Sequence, residues 1–493
     1  MSMLPRAPEG TRLPAGFAVA IARHTEVLED GAALLGGSPT RYVRPAGWAA
    51  PLIAGGTIVV DDARSGALAD RLLELGMADP VPALLPPIDA PYTVVVPVRD
   101  RPAQLDRLLA GIAAGTGQRP AGVIVVDDGS DDGAPIAAVT SRHGAELVRL
   151  EENLGPAHAR NEGLRRVGTP FVVFVDSDVA LSCESVEILL RHFTDPRVAL
   201  VAPRVSASAG TDTAVERYEE VRASQDLGGE PATVRPFSRV SWVSTTCVVA
   251  RVSAIGEGFD TALRVGEDVD LCWRLVENGW RIRYEPRASV AHEHRSSLGA
   301  WLTRKAVYGS SAQPLAERHP DAIAPAVLAP WSALVVAAVL VGRRWSVAVA
   351  AGILVYKIVE VARKLGTARH PRVLAARLIG NGTVSSFAQV SALALRHWWP
   401  VAVVGCAVSS RVRRFVAIAA IVDTVVELAR TRVRLDPVRF GILRRLDDLA
   451  YGAGVWLSAI RARSWKALKP RLQLQSQSNS NSKSSLGNPR QGS

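Results

Sequence analysis

The chain has little cysteine. Cys183, Cys247, Cys272 and Cys406 are its four. None sits at the close spacing of a metal-ligand pair, and nothing in their placement implies a disulfide framework. A reducing compartment is the simpler expectation. The N-terminus lacks the charged-then-apolar pattern of an export signal, so the first part of the chain is expected to remain unexported. Basic residues interleaved with aromatics, as a nucleic-acid groove needs, are also missing, so no nucleic-acid partner is expected.

Apolar length is what the chain does have. Hydrophobic residues make up 48% of 493, and mean hydropathy is slightly positive. That leaves room for two or three domains and for membrane-facing segments. Lys and Arg number 58 against 47 for Asp and Glu. The excess lies mainly after residue 340, which suits a basic region near a membrane.

Residues 1–15 are rich in Pro and Gly and read as a loose start. Residues 16–85 read as a small α+β module. A hairpin is expected around Asp30-Gly31, and a helix over Ala67–Leu75, where Leu68, Leu72, Leu73 and Leu75 recur at helical spacing. Residues 86–91 close a proline-rich linker. Residues 92–320 then alternate strand and helix. Strands are expected at Thr93–Val98, Gly122–Val126, Glu146–Leu150, Phe171–Val175 and Val198–Val205, with helices between them. Val240–Val252 reads as β-like, Gly266–Asn278 as a helix with an acidic first turn, and Trp280–Tyr284 and Val290–Arg295 as two further strands. This order implies an α/β fold with a doubly wound, mostly parallel sheet.

Residues 321–469 change character. Ala322–Gly342 is free of charge for 21 residues, long enough to span a bilayer. Shorter apolar runs follow, separated by arginines. A span over 322–342 would carry Arg343 and Arg344 outward, against the positive-inside tendency. Membrane association is therefore a firmer expectation than any span count, with interfacial helices or a soluble helical bundle as alternatives. Residues 470–493 are rich in Ser, Asn and Gln and are expected to be disordered.

The chemistry centres on Phe171–Ala180, FVVFVDSDVA. A continuous apolar run reads as a strand buried on both faces, and it delivers Asp176 and Asp178 to the edge of the sheet. Ligands bind at that edge in open α/β sheets, and paired carboxylates suit Mg²⁺ or Mn²⁺. The plainer reading is a cap on the next helix. Three further polar sites occupy equivalent positions: Pro97-Val98-Arg99-Asp100, Asp127-Asp128-Gly129-Ser130, and Glu267-Asp268 with His292 beyond. Within them, Asp127 reads as shaping its turn. Asp270 should point away from Asp268. Trp242 and Trp301 read either as an acceptor platform or as core.

The stretches TVVVPVRDR, VIVVDDGSDDG, NLGPAHARNEGLR, FVDSDV and GFDTALRVGEDVDLCWRL, in that order, resemble the family 2 glycosyltransferases of the GT-A fold. The resemblance covers residues 92 to about 310 and implies roles position by position. Pro97 and Arg99 would line the base pocket, with the Arg99 guanidinium in place of the usual aromatic stack. Asp128 would accept the base imino N–H, which favours uracil and so a UDP-sugar donor. Arg160 and Asn161 would lie near the nucleotide. Asp176 would help hold ribose and metal, and Asp178 would be the main ligand of Mn²⁺ or Mg²⁺, with His292 a further ligand or a diphosphate contact. His294 shares the strand face of His292. Asp268 matches the family's general base, and direct attack would invert the anomeric centre.

The whole layout further resembles the actinobacterial glycosyltransferases of the mycofactocin system. This implies β-1,4-linked glucose placed on premycofactocin from UDP-glucose, at the cell membrane with the catalytic part on the cytoplasmic side. The first module is similar to small peptide-recognition domains. The alternatives are a cell-envelope transferase with a lipid-linked or polysaccharide acceptor, and an inactive sugar-nucleotide-binding membrane protein. The Gln-x-x-Arg-Trp motif of processive synthases is not reproduced by Trp301, Arg304 and Lys305.

Overall fold

The computed structural model describes residues 4–207, 213–292, 297–431 and 435–473. His294 and the expected tail from residue 474 on lie outside these; the tail's first part, expected to be disordered from residue 470, instead pairs Arg471 and Leu472 with Val327 and Leu328. The first eighty residues build two small sheets. Their strands are β1 (Ala18–Ile21), β2 (Glu26–Leu28), β3 (Ala33–Gly36), β4 (Arg41–Val43), β5 (Thr57–Val59) and β6 (Ala78–Pro80). One sheet runs β5-β1-β6 and the other β2-β3-β4. The hairpin expected at Asp30-Gly31 is the β2–β3 pair. Helix α1 (Ala63–Leu75) starts four residues earlier than its apolar spacing suggests, because Asp62 and Ser65 form a reciprocal cap there. Its apolar face packs with Phe17, Leu34, Ile53 and Met77.

Beyond the linker, β7 (Tyr92–Val98), β8 (Gly122–Asp127), β9 (Glu146–Arg149), β10 (Phe171–Val175), β11 (Val179–Ala180), β12 (Val198–Ala207), β13 (Ala232–Val234), β14 (Cys247–Arg251) and β15 (Arg281–His292) form one sheet. Its order is β11-β15-β12-β14-β10-β7-β8-β9, with β13 beside β15. Every residue of β10 is buried. Its alternate side chains feed two cores. Val172 and Phe174 face the one shared with Leu164 and Trp273, while Val173 and Val175 face the one shared with Leu105, Leu108 and Leu189. Helices α2 (Pro102–Ala114), α3 (Ala134–Arg142), α4 (Pro156–Leu164), α5 (Cys183–Arg191), α6 (Ala214–Arg222) and α7 (Glu267–Glu277) complete this part.

The sheet is mixed rather than mostly parallel. Pairs β9–β8, β8–β7, β7–β10 and β12–β15 are parallel, whereas β10–β14, β14–β12, β11–β15 and β13–β15 are antiparallel. Strand β14 enters from the opposite end, so the residues just before it lie beside the residues just after β10. The Asp176 backbone N–H donates to the Thr246 carbonyl across that junction (2.9 Å). The strand expected at 280–284 and the described part of the one expected at 290–295 are one, β15. A register shift against β12 between Pro203 and Arg204 accommodates its length.

Helices make up most of the remaining described residues: α8 (Leu298–Ser310), α9 (Ala312–Arg318), α10 (Pro330–Val341), α11 (Arg344–Lys364), α12 (Pro371–Ala392), α13 (Trp399–Val408), α14 (Ser410–Arg430) and α15 (Pro437–Ala462). The uncharged run 322–342 is not one spanning helix. Pro325 precedes a short strand, Val327–Leu328, and α10 begins only at Pro330. At 1.5 Å per residue α10 is about 18 Å long, short of a ~30 Å hydrocarbon core. Two later helices, Arg344–Lys364 and Pro371–His397, are long and apolar enough to cross a membrane by length and composition alone. Val347, Val355, Tyr356, Val373 and Val384 on them are exposed.

Candidate active site

The carboxyl edge of the sheet opens into a cavity of about 1440 Å³. Each predicted polar stretch reaches it through the local chemistry of a strand end. After β7, Asp100 adopts a left-handed backbone (φ 53°), and Ser130 Oγ accepts from its N–H at 3.0 Å. That turn sets Pro97 and Arg99 on the wall. Arg99 is half-exposed and lies near Asp100 and Asp131, at 3.3 and 3.6 Å. After β8, Asp127 accepts from the Ser130 N–H at 2.9 Å and so shapes the turn as expected. Gly129 makes the turn possible. Its φ is 64°, and a Cβ there would meet the Glu152 carbonyl carbon at 2.6 Å. Asp128 lines the cavity, but both its oxygens are already engaged. They accept from the N–H groups of Leu154 (2.9 Å) and Gly155 (3.0 Å), which fastens the loop leading into α4.

After β10 come Asp176, Ser177 and Asp178, all on the wall. Strand pairing brings His292 to them: Val179 of β11 registers opposite His292 of β15. His292 Nε2 lies 3.4 Å from Asp178 Oδ1, and Arg101 donates to the other oxygen. Burial by itself would raise the Asp178 pKa. The His292 hydrogen bond and the nearby positive charges outweigh it, and the carboxyl is held down at about 2.

Asp176 faces differently. Arg160 Nη2 donates to Asp176 Oδ1 at 2.7 Å, and Arg160 Nη1 donates to Glu267 Oε1 at 3.0 Å. Arg160 as a whole is only 3% exposed. Burial disfavours its charge, but the two carboxylates win and raise its pKa. Arg160 therefore bridges the end of β10 to the start of α7.

On α7, Asp268 lines the cavity and accepts the Val269 N–H at 2.8 Å. Burial, then the charge of Glu267, push its pKa up to about 7, with Arg160 offsetting part of the rise. Asp270 points away, as expected. It is fully buried and accepts from Arg274 Nε (2.7 Å), with His319 Nε2 at 3.0 Å.

Asn161 departs from its expected place. Its amide grips the Phe259 backbone on both sides, donating to the carbonyl (2.8 Å) and accepting from the N–H (2.9 Å). It does not line the cavity, because it sits on the buried face of α4. The two tryptophans also part company. Trp242 is on the cavity wall, while Trp301 is core, its Nε1 donating to Glu219 at 2.9 Å. Among the contributors given no role from the sequence are Arg101, Arg304 and Tyr308. Arg101 had a signal, since it directly precedes the proline that opens α2. The other two needed the helix placed over the cavity.

No three His, Cys, Asp or Glu side chains converge as a ready metal cage among the described residues. The donors still fit a hard divalent cation. Mg²⁺ in particular takes one or two carboxylates and fills its remaining positions from water and substrate phosphates. Asp178 with His292 supplies such a partial set, and Asp176, held by Arg160 through Oδ1, has its second oxygen to add.

Residues 89–307 match the family model described as glycosyltransferase like family 2. The chain is 42% identical over 475 residues to the pre-mycofactocin glycosyltransferase of Mycobacterium tuberculosis, covering 94% of this chain and 99% of that protein. It is 30% identical over 231 residues to the N-acetylglucosaminyl-diphospho-decaprenol L-rhamnosyltransferase of the same species, covering 40% and 73%. The crystal structure of S. aureus TarS aligns with 45% of this chain and 39% of that one, at 19% identity and a TM-score of 0.34.

Proposed function

The chain belongs to the family 2 glycosyltransferases, and from that premise we propose that it moves glucose from UDP-glucose to premycofactocin with inversion, building a β-1,4-glucan. The observation that carries this reading is one cavity lined by Asp268, its pKa raised, and by Asp176, Asp178 and His292, the Asp178 pKa lowered. Likeness to the mycobacterial protein over nearly the full length supports the acceptor.

Asp268 takes the proton of the attacking acceptor hydroxyl. The new bond joins that oxygen to the sugar's anomeric carbon, and the bond from this carbon to the diphosphate oxygen breaks, releasing UDP. A pKa near the working pH suits a general base. Asp178 and His292, with Asp176 beside them, would hold Mn²⁺ or Mg²⁺. Bound there, the cation supplies charge neutralisation at the leaving diphosphate. Asp128 receives the uracil N–H on a lone pair left over from its two backbone contacts, and Pro97 and Arg99 border the base. Residues 92–320 carry this chemistry. Residues 321–469 hold the enzyme to the cell membrane, with the catalytic part on the cytoplasmic side; the two long apolar helices and their exposed side chains support the membrane contact alone. Residues 16–85 serve packing or peptide recognition.

The test is purified enzyme with UDP-glucose, Mn²⁺ and premycofactocin, followed by acceptor mass. Successive gains of one hexose are expected. UDP release without a gain in acceptor mass would move the acceptor to a lipid-linked or polysaccharide molecule. No turnover with any UDP-sugar would leave a binding protein.

A further inference from the structure

Of the two helices long and apolar enough to cross a membrane, the one over Pro371–His397 is tied to the rest of the protein at both ends. At its start, the Arg369 N–H donates to Glu29 Oε1 at 2.8 Å, and Arg377 donates to Glu26. Leu365, Ala368 and Ala375 pack there with Tyr42, so all the partners belong to the first module. At its end, Trp456 of α15 donates to the His397 carbonyl at 2.7 Å, and a Cβ on Gly452 would come 2.0 Å from the Arg396 carbonyl oxygen. Helix α15 is in turn fastened to α8 at backbone distance. A Cβ on Gly454 would come 1.8 Å from the Ala306 carbonyl oxygen, and one on Gly309 would come 2.0 Å from that of Tyr451. The first module and the large sheet are joined as well. Arg281 of β15 donates to Asp70 at 2.6 Å, and Arg235 to the Glu74 carbonyl at 2.8 Å. A helix whose two ends rest on one connected body cannot carry them to opposite faces of a bilayer.

Helix α11 fails as a span for another reason. Only Trp345–Tyr356 is free of charge, between Arg344 and Lys357. Those residues rise about 18 Å, against a ~30 Å hydrocarbon core. Lys357 then pairs with Glu360 at 2.6 Å, a charged pair that a span would carry into the hydrocarbon. Beyond it, Arg44 of the first module donates to the Thr367 carbonyl. Yet apolar side chains on these helices face no protein. Val384, Val404 and Val408 are 70%, 66% and 81% exposed, and Trp345, Tyr356 and Ile421 are exposed too. The turns between the helices are basic. Arg343 and Arg344 join α10 to α11, and Arg411 and Arg414 open α14 after α13; all four are exposed. Exposed apolar side chains beside exposed arginines suit helices lying in the interface of an anionic leaflet.

We propose that residues 330–430 form a platform on one anionic leaflet and contain no span. The exposed apolar side chains enter the acyl boundary, and the four arginines meet lipid phosphates. The platform rests on the membrane contact of the reading above and gives that contact its form: both ends of every helix stay on the catalytic side. Arg344→Cys, His370→Cys and Ser410→Cys, placed singly in full-length Cys406→Ser protein, test this, since the other three cysteines are buried. A membrane-impermeant maleimide is applied to intact spheroplasts and again after lysis. All three sites are expected to react only after lysis. Reaction of any one from outside overturns the platform, as does a site still shielded after lysis, which would lie within the bilayer. For the arginines, purified full-length protein is sedimented with phosphatidylglycerol or phosphatidylcholine vesicles. Tighter association with phosphatidylglycerol is expected. It should weaken at least about tenfold when Arg343→Glu, Arg344→Glu, Arg411→Glu and Arg414→Glu are combined, with UDP affinity within twofold of the parent. Equal association with both lipids, or an unchanged affinity in the variant, overturns the phosphate contact. Parent protein recovered in the soluble fraction of cells would instead remove the membrane contact itself, and the platform with it.

Discussion

Asp178 and Asp268 stand on the wall of one cavity, and their surroundings treat them oppositely. Both lose water by burial, which favours the neutral form. Around Asp178 the neighbours are a histidine and Arg101, and the carboxylate wins at any ordinary pH. Around Asp268 the charge that acts most strongly is Glu267, of its own sign, and with burial it holds the proton on to about 7. A permanently ionised group suits holding a cation. A group near neutrality suits passing a proton. The same residue type is divided between two tasks by what the fold puts next to it, and the following experiments probe that division.

The largest effect is expected from Asp268→Asn. Removing the base should lower kcat by about 10²–10⁴-fold while UDP affinity holds; a near-normal rate would refute the assignment. Asp178→Ala should weaken UDP binding in Mn²⁺ by at least about tenfold and change it little without metal. Equal affinity in both conditions would remove its ligand role. The pH profile follows next. Asp268 must be ionised to act, so kcat/KM should fall as pH drops through about 7, approaching tenfold per unit below it. Glu267→Gln removes the neighbouring charge, and the acidic limb should move to lower pH; a limb that stays put would assign the rise to burial alone. The smallest expected change is Asn161→Ala. It should cost about 1–3 kcal/mol in thermal or denaturant unfolding and leave UDP affinity alone. A weakened UDP affinity at unchanged stability would return Asn161 to the nucleotide.

Much of this division was open to a reader of the sequence, because its parts are local. The helices over 102–114 and 134–142 fall between strands as expected, and each carries a proline in its first turn. The acid residues after β8 and β10 stand at strand ends because apolar runs stop there. What stayed hidden depends on distant partners. Nothing in Cys247–Arg251 says that it enters antiparallel, because an apolar strand buried on both faces reads the same in either direction. The run 322–342 shows no charge, but its prolines decide its structure. Asn161 and Arg160 are adjacent in one motif, yet α4 aims one at a backbone and the other at two carboxylates.

The glycine contact between α8 and α15 has a practical consequence for anyone cutting this protein down. A fragment ending before Pro330 would keep every acid residue at the sheet edge, and it would lack Asp447, Tyr451 and Arg396, together with the helix packed on Gly309. Such a fragment would bare the back of α8 to solvent and leave the active site without one side. Solubility gained by trimming the apolar helices would come with a catalyst open where the full chain is closed.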